Sequence, residues 1–244
     1  MVATIRPARE FRFGMELEAI AGPERFPLGS RGTDHGGRVW EYRTRPVTLR
    51  DWAAARPELE RFWGQVRVDP RGNPPTGLHV HVEVPEEVRT DQVLLKRFFA
   101  RLARLWEKVE AGLVGRYRSR EREQWTARWD ESHRETLAAA IRAGNLATDR
   151  YRSLNFASFG EHGTVEFRLW DATGSLEEAE ERVALCLALV WVAAAGCGRR
   201  TAHVPVAPEI REAVTVGRAL LAEMRRSALR RGQENTADGL SQSP

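Results

Sequence analysis

Three segments of this sequence alternate between apolar and polar residues with a period of two, and this pattern restricts the folds open to the chain more than any other feature. They are residues 11–20, 76–84 and 163–170. Because successive side chains of a β-strand point to opposite faces, each segment predicts a half-buried strand. The sequence therefore predicts a sheet whose back faces an apolar core and whose front carries ionisable side chains.

The predicted front of the sheet is dense in groups that can bind metal ions or transfer protons. These groups are Glu16, Glu18, His79, His81, Glu83, Glu166 and Arg168. Neighbouring carboxylates repel one another unless a cation neutralises them, and Mg2+ prefers carboxylate oxygens. The solvated face of an ordinary one-sided sheet also fits each segment separately, but paired histidines are uncommon on such a face. The combined pattern favours a functional site on the front of the sheet.

Two acidic residues between the first and second segments are expected to reach the same site. Glu41 lies in a further predicted strand, residues 39–45, and Asp34 lies in the loop before it, residues 21–38, which is rich in glycine and proline. Asp34 by itself also fits an ordinary turn residue. If the strand at 39–45 pairs with the first segment, both carboxylates approach the glutamates of that segment.

A hairpin is predicted to bring a second pair of polar residues to the site. Residues 151–159 predict a strand, and residues 160–163 predict a tight turn into the third segment. This pairing would place Arg152 and Asn155 beside the acid and the base of the third segment.

Helices are predicted to cover the apolar back of the sheet. The expected helical ranges are 48–64, 91–113, 135–143, 176–196 and 210–230. The intervening residues 115–134, called the charged segment below, are rich in arginine and fit either an arm over the site or a solvated helix. No linker or repeat divides the chain, so a single domain is expected over residues 1–230, followed by a polar disordered tail at 231–244.

Composition and cysteine usage indicate a cytoplasmic protein. No stretch of the sequence is apolar enough for a signal peptide or a membrane span. The net charge of +4 suggests a polyanionic partner only weakly, because the arginines are interleaved with acids along predicted helices, and nucleic acid is not expected. Cys186 and Cys197 flank an apolar helical run and are expected to be reduced, buried thiols.

Five short motifs together resemble the amidoligase family, which belongs to the carboxylate-amine ligase group with glutamine synthetase and glutamate-cysteine ligase. The motifs are Phe-Gly-Met-Glu-Leu-Glu at 13–18, the pair Asp34 and Glu41, Gly-Leu-His-Val-His at 77–81, Arg152 with Asn155, and Thr-Val-Glu-Phe-Arg at 164–168. The resemblance implies an α+β fold in which a curved antiparallel sheet binds ATP and two or three Mg2+ ions on its concave face. Helices would pack on the opposite face.

The resemblance also implies a role for each residue. The metal ligands would be Glu16, Glu18, Glu41, His79 and Glu166. Glu16 and Glu18 would each hold a different ion. His79 and Glu166 would complete the coordination of the ion that bridges the nucleotide phosphates. Asp34 and Glu41 would complete the coordination of the ion on the substrate side. The nucleotide-binding set would be His81, Arg152 and Asn155. Arg168 would neutralise the transferred phosphoryl group, and Asp34 would alternatively position or deprotonate the amine.

The implied reaction is ATP-dependent joining of a carboxylate to an amine through an acyl phosphate, on amino-acid or peptide substrates. Phosphoryl transfer needs positioning and charge neutralisation and no nucleophilic side chain, which agrees with the lack of a Ser-His-Asp set or a Walker loop in the sequence. Two alternatives stay open. One is a catalytically silent binding module on the same fold, and the other is a zinc-dependent hydrolase that uses the Glu/His cluster.

Overall fold

The computed structural model describes residues 5–144, 150–198 and 206–240, and in the last of these ranges it describes the side chains of 207–225. One antiparallel sheet of six strands organises this part of the chain. The strands are β1 (Phe13–Ala19), β2 (Gly29–Asp34), β3 (Val39–Thr44), β4 (Gly77–Glu83), β5 (Leu154–Asn155) and β6 (Thr164–Asp171). Their order across the sheet is β2-β3-β1-β4-β6-β5. The predicted strands at 11–20, 39–45, 76–84 and 163–170 are confirmed.

Seven α-helices accompany the sheet in the described residues. They are α1 (Leu49–Trp63), α2 (Glu86–Arg89), α3 (Gln92–Tyr117), α4 (Glu131–Ala143), α5 (Ser158–His162), α6 (Leu176–Cys197) and α7 (Val206–Leu240). Strands paired antiparallel with separate helices define the α+β class, as predicted. No helix among the described residues is long and apolar enough to cross a membrane.

The helices pack on the apolar back of the sheet. Phe13 of β1 lies 5.5 Å from the ring of Trp52 in α1, and Phe167 of β6 lies 5.3 Å from the ring of Trp106 in α3. All four side chains are at most 1% exposed. Each fully buried aromatic side chain contributes roughly 2–3 kcal/mol of hydrophobic stabilisation, so this back layer is what fixes the front of the sheet in place.

Strand register decides which front residues become neighbours. Glu16 lies opposite His79 on β4, and His81 lies opposite Glu166 on β6. On the other side of β1, Glu18 lies opposite Glu41 of β3. Residues that pair across antiparallel strands point to the same face, so the first, second and third segments and the strand at 39–45 share one front.

The alternation predicted for the third segment does not extend through its last residues. The pairing of β4 with β6 shifts between Leu78 and Val80, which inserts one extra residue into β6. Trp170 therefore lies opposite Leu78 and packs on the back, 6.4 Å from the ring of Trp106.

The prediction of a loop at 21–38 was wrong over part of its length, because β2 lies inside it. This strand reads Gly-Ser-Arg-Gly-Thr-Asp and is largely exposed at the edge of the sheet. It has no apolar alternation, and its pairing with β3 defines it as a strand. Such an edge strand gives no periodic signal in the sequence.

The predicted strand at 151–159 was too long, and the predicted tight turn at 160–163 is a short helix. Within residues 151–159, only the two residues of β5 form a strand that pairs with β6, and Asn155 lies opposite Glu166. The Asn155 Oδ1 atom then accepts a hydrogen bond from the Ala157 backbone nitrogen at 2.9 Å, which turns the chain into α5. Gly163 ends that helix with a positive φ of 67°.

Most helix boundaries agree with the predictions. Thr48 caps α1 in a capping box with Asp51, and Pro57 does not divide this helix. The helix α4 begins four residues earlier than predicted, at Glu131, because Asp130 caps it. The helix α7 extends to Leu240, so the backbone of residues 231–240, which were predicted to be part of a disordered tail, is helical. Residues 241–244 of the predicted tail and the side chains after 225 lie outside the described part.

Candidate functional site

The front of the sheet gathers five of the ten predicted site residues, together with His35, into two groups of possible metal ligands. The first ligand group is Glu16, His79 and Glu166, and the second ligand group is Glu18, Asp34 and His35. Within each group, one potential ligand atom per residue lies within 4.8 Å of the others. The two glutamates of β1 thus belong to different groups, as the resemblance implies.

The first ligand group is built across three adjacent strands. The Nδ1 atom of His79 lies 3.3 Å from Oε2 of Glu16 and 3.5 Å from Oε1 of Glu166. His79 and Glu166 are buried, whereas Glu16 is one quarter exposed, so the group opens to solvent on its Glu16 side. An imidazole nitrogen between two carboxylates is a suitable donor set for a divalent cation.

Glu166 is held in its orientation by two neighbouring side chains. Asn155 donates to its Oε2 atom at 2.7 Å, and the NH1 atom of Arg168 donates to its Oε1 atom at 2.5 Å. Burial raises the pKa of Glu166, but the adjacent imidazoles, Arg168 and the hydrogen bond from Asn155 together lower it by more, so that the net pKa lies below its usual value. The carboxylate therefore stays ionised near neutral pH and can coordinate a cation.

His79 is in the protonation state that a metal ligand needs. Burial, followed by the charge of Arg168, lowers the pKa of this imidazole to about 3. Metal ions bind the neutral form of histidine, so no proton competes with a cation here at neutral pH. The ionised Glu166 and the neutral His79 together fit a divalent cation.

The second ligand group joins the end of β1 to the end of β2 across the intervening strand β3. Glu18 is buried, and its Oε2 atom accepts a hydrogen bond from the Gly77 backbone nitrogen at 2.6 Å. Its Oε1 atom lies 3.7 Å from Nε2 of His35, and Asp34 Oδ2 lies 4.0 Å from the same nitrogen. Asp34 is half exposed, so this group is more accessible than the first.

His35 is a candidate ligand that the sequence reasoning missed. Its backbone has a positive φ of 52°, and Gly36 and Gly37 follow with positive φ values. This left-handed turn after β2 directs the imidazole back towards Glu18. The run Asp-His-Gly-Gly is the signal that was available, because consecutive glycines indicate a turn that reverses the chain.

Glu41 lies beside both groups and is a member of neither. It is buried, and it forms an ion pair with Arg43. Burial and the nearby Glu16 carboxylate raise the pKa of Glu41 to about 7, with smaller contributions from Asp34 and Glu18, and Arg43 opposes them. A carboxyl group with this pKa is partly protonated at neutral pH, because burial and the neighbouring carboxylates both disfavour its ionised form.

Arg122, a second residue that the sequence reasoning missed, contacts a member of each ligand group. It belongs to the charged segment, in a 3-10 turn at Arg120–Arg122. Its NH1 atom lies 3.2 Å from Glu18 Oε2 and its NH2 atom 3.4 Å from Nε2 of His79. A Cβ atom at position 77 would overlap this guanidinium, which explains the glycine there. The charged segment is thus an arm over the site, and nothing in its sequence singles out which arginine enters.

His81 completes the front of β4 and faces two different environments. Its Nε2 atom is buried without a hydrogen-bond partner among the described residues, 3.7 Å from both Glu16 Oε1 and Glu166 Oε1. Its Nδ1 atom lies 3.3 Å from the hydroxyls of Thr164 and Ser158. An unpartnered buried nitrogen beside two carboxylates is a feature that a bound ion or phosphate would explain.

Two cavities flank the first ligand group. A cavity of about 290 Å³ lies on the side of Glu18 and Arg168 and is closed by Arg122, Trp125 and Tyr151. The other, of about 460 Å³, lies on the side of Glu16 and His81. It is lined by four basic side chains, Arg12, Arg43, Arg89 and His162.

Arg152 is not brought to this cluster. Its NH1 atom donates to the Arg128 carbonyl at 2.8 Å and to Asp130 Oδ2 at 2.9 Å. That nitrogen therefore ties β5 to the start of α4 and does not lie beside Glu166 as the hairpin predicted. Asn155, from the same predicted pair, is in place.

Comparison with known proteins gives no family assignment. No family model matches the sequence, and no curated protein matches it. The fold and the site define an α+β protein with two adjacent carboxylate and imidazole groups on one face of an antiparallel sheet. The resemblance to amidoligases stays a prediction.

Proposed function

We propose that this protein is an ATP- and Mg2+-dependent ligase that joins a carboxylate to an amine. The observation that carries the proposal is the pairing of two ligand groups side by side on the front of the sheet, one around Glu16 and one around Glu18. Two divalent cations at adjacent sites are suited to neutralising a polyphosphate and the group that receives its phosphoryl. The proposal includes the glutamine synthetase-like form of the fold, with a curved sheet and a concave site.

The residues present fit two cations and supply their ligands. In the first ligand group Glu16, His79 and Glu166 would bind one ion, and in the second Glu18 and Asp34 would bind another, joined by His35. Glu41 lies close enough to both to share its charge with either. Bound Mg2+ would withdraw charge from the phosphate oxygens and make the terminal phosphorus more electrophilic.

The proposed reaction has two balanced steps. A carboxylate oxygen of the substrate attacks the terminal phosphorus of ATP, so that an O–P bond forms, the bond to the bridging oxygen breaks and ADP leaves. The amine nitrogen then attacks the carbonyl carbon of the acyl phosphate, a C–N bond forms, and inorganic phosphate leaves. An amine that enters in its ammonium form loses two protons on becoming the amide; the half-exposed Asp34 is the group proposed to accept one, and the other passes to the departing phosphate or to water.

The basic groups of the site are assigned to the phosphates. Arg168 holds Glu166 through NH1 and would face the transferred phosphoryl group with its remaining nitrogens. His81 lines the larger cavity with Arg89, and its unpartnered Nε2 atom would donate to a phosphate oxygen. A volume of about 460 Å³ is within the range of small-molecule sites, and we assign this cavity to the nucleotide.

A zinc-dependent hydrolase is the second candidate, and a specific observation favours it. His79 and His81 both point at the same two carboxylates, Glu16 and Glu166, at distances between 3.3 and 3.7 Å. Two imidazoles and a carboxylate are a common zinc donor set. Stoichiometric zinc in protein purified without added metal, measured by mass spectrometry, would favour the hydrolase over the ligase.

The test of the ligase proposal is calorimetric titration of a non-hydrolysable ATP analogue into metal-free protein, with and without Mg2+. We expect binding only with Mg2+, and loss of that binding in Glu16→Gln. The matched control is Glu58→Gln, which removes a carboxylate from the exposed surface of α1. Absence of binding under both conditions would refute the ligase and leave the catalytically silent module.

A further inference from the structure

Arg122 is placed so that it competes with a metal ion for His79. Its side chain is 2% exposed, and its NH2 atom lies 3.4 Å from Nε2 of His79. We propose that Arg122 is a gate on the first ligand group: its hydrogen bond to His79 and the coordination of a cation by His79 exclude one another. This inference rests on the proposed function, because it takes metal binding at the first ligand group as given.

The exclusion follows from the chemistry of imidazole. A neutral imidazole carries a proton on one ring nitrogen and an in-plane lone pair on the other. The guanidinium of Arg122 only donates hydrogen bonds, so its contact with Nε2 requires the lone pair of His79 on Nε2 and the proton on Nδ1.

The carboxylates of the first ligand group face the opposite nitrogen. Nδ1 is the atom that lies 3.3 Å from Glu16 and 3.5 Å from Glu166. A cation held by these carboxylates therefore needs the lone pair on Nδ1, and the proton must move to Nε2. The resulting N–H group would point at the Arg122 guanidinium, donor against donor, and the contact must break.

The other contacts of Arg122 show how far such a movement reaches. NH1 is bound to Glu18 of the second ligand group, and Nε lies 3.8 Å from Asp171. Three residues further along, the ring of Trp125 lies 5.0 Å from that of His35. A cation at the first ligand group therefore displaces a residue that also anchors the second group, and this couples the occupancy of the two groups.

The tautomer of His79 is directly measurable and tests the gate. Long-range 15N–1H spectra of the imidazole rings are recorded for chelated protein and again with saturating Mg2+, and the His79 signals are assigned with His79→Asn. We expect the Nδ1–H tautomer without metal and the Nε2–H tautomer with Mg2+. The Nε2–H tautomer in the chelated protein would overturn the gate, and so would Mg2+ binding without a change of tautomer.

A substitution of Arg122 provides the second test. In Arg122→Met we expect Mg2+ alone to bind on the order of threefold to tenfold more tightly, since a competing charge-assisted hydrogen bond is removed. The control is Arg120→Met, an exposed arginine of the same 3-10 turn. Near-ultraviolet circular dichroism checks the fold, and unchanged or weaker Mg2+ binding in folded Arg122→Met would refute the gate.

The two tests separate the gate from the proposed function. If the wild-type protein binds no Mg2+, the proposed function and the gate fail together. If it binds Mg2+ while His79 keeps one tautomer throughout, the ligase proposal stands and only the gate fails. If Arg122→Met does not fold, the wild-type spectra still decide the question.

Discussion

Replacing Glu41 with glutamine should stabilise the metal-free protein at pH 8 and leave its stability unchanged near pH 4. The folded pKa of Glu41 is about 7, against 4.5 for an unperturbed glutamate, because the group is buried and lies near the Glu16 carboxylate. Glutamine has nearly the same shape as the protonated acid and carries no charge. The substitution therefore removes the electrostatic cost of ionising this group in the folded state.

The sign and size follow from proton linkage. Because the folded pKa is raised, the folded wild-type protein holds a proton that the unfolded chain releases, and its stability falls as pH rises from 4.5 to about 7. A shift of this size corresponds to about 3 kcal/mol as an upper limit. Solvent screening and the loss of the Arg43 ion pair, whose guanidinium is more than half exposed, reduce the expected gain to about 1–2 kcal/mol at pH 8.

The assay is urea unfolding of both proteins between pH 4 and pH 8 in the presence of a chelator. The difference in unfolding free energy should develop between about pH 4.5 and pH 7 and stay constant above that range. The exposed-site control, Glu58→Gln, should change by less than about 0.5 kcal/mol at every pH. A Glu41→Gln protein that is less stable than wild type at pH 8, or equally stable at every pH, would refute the reasoning.

Three further predictions concern other positions. Glu166→Gln should fold but lose about 2–3 kcal/mol of stability in metal-free urea unfolding, because Arg168 loses its buried partner. Its Mg2+ affinity, measured by calorimetry, should also fall. Unchanged stability and unchanged affinity together would contradict the site. Gly77→Ala should be less stable than wild type and should displace Arg122, because the added Cβ would overlap its guanidinium. A lower melting temperature and faster proteolysis of the charged segment would show this. A wild-type melting temperature would contradict that packing. Cys186 is fully buried and burial raises its pKa well above the usual value, so neither it nor the buried Cys197 should react with a thiol reagent at pH 8 until urea unfolds the protein; rapid labelling of the native protein would count against that burial.

The sequence by itself determined four strands of the site, β1, β3, β4 and β6, and in β1 and β4 the face on which each side chain lies. In β1 and β4 a buried apolar residue follows every polar one, and a slip of one residue would turn the glutamates and histidines into the core. The limits of α1 were equally predictable, because Thr48 and Asp51 form a capping box between neighbours in the chain. These features depend on interactions between residues that are close together in the sequence, so the sequence alone predicts them.

The tertiary structure decided which residues meet. The strand β2 is polar throughout and exists through its pairing with β3, and the left-handed turn after it brings His35 to Glu18. Arg122 reaches the site from a segment more than forty residues away from Gly77 in the chain, among many arginines that do not. Arg152 turned to Asp130 although its neighbour Asn155 reached Glu166. Such contacts depend on how separate elements pack, which no periodicity along the chain encodes.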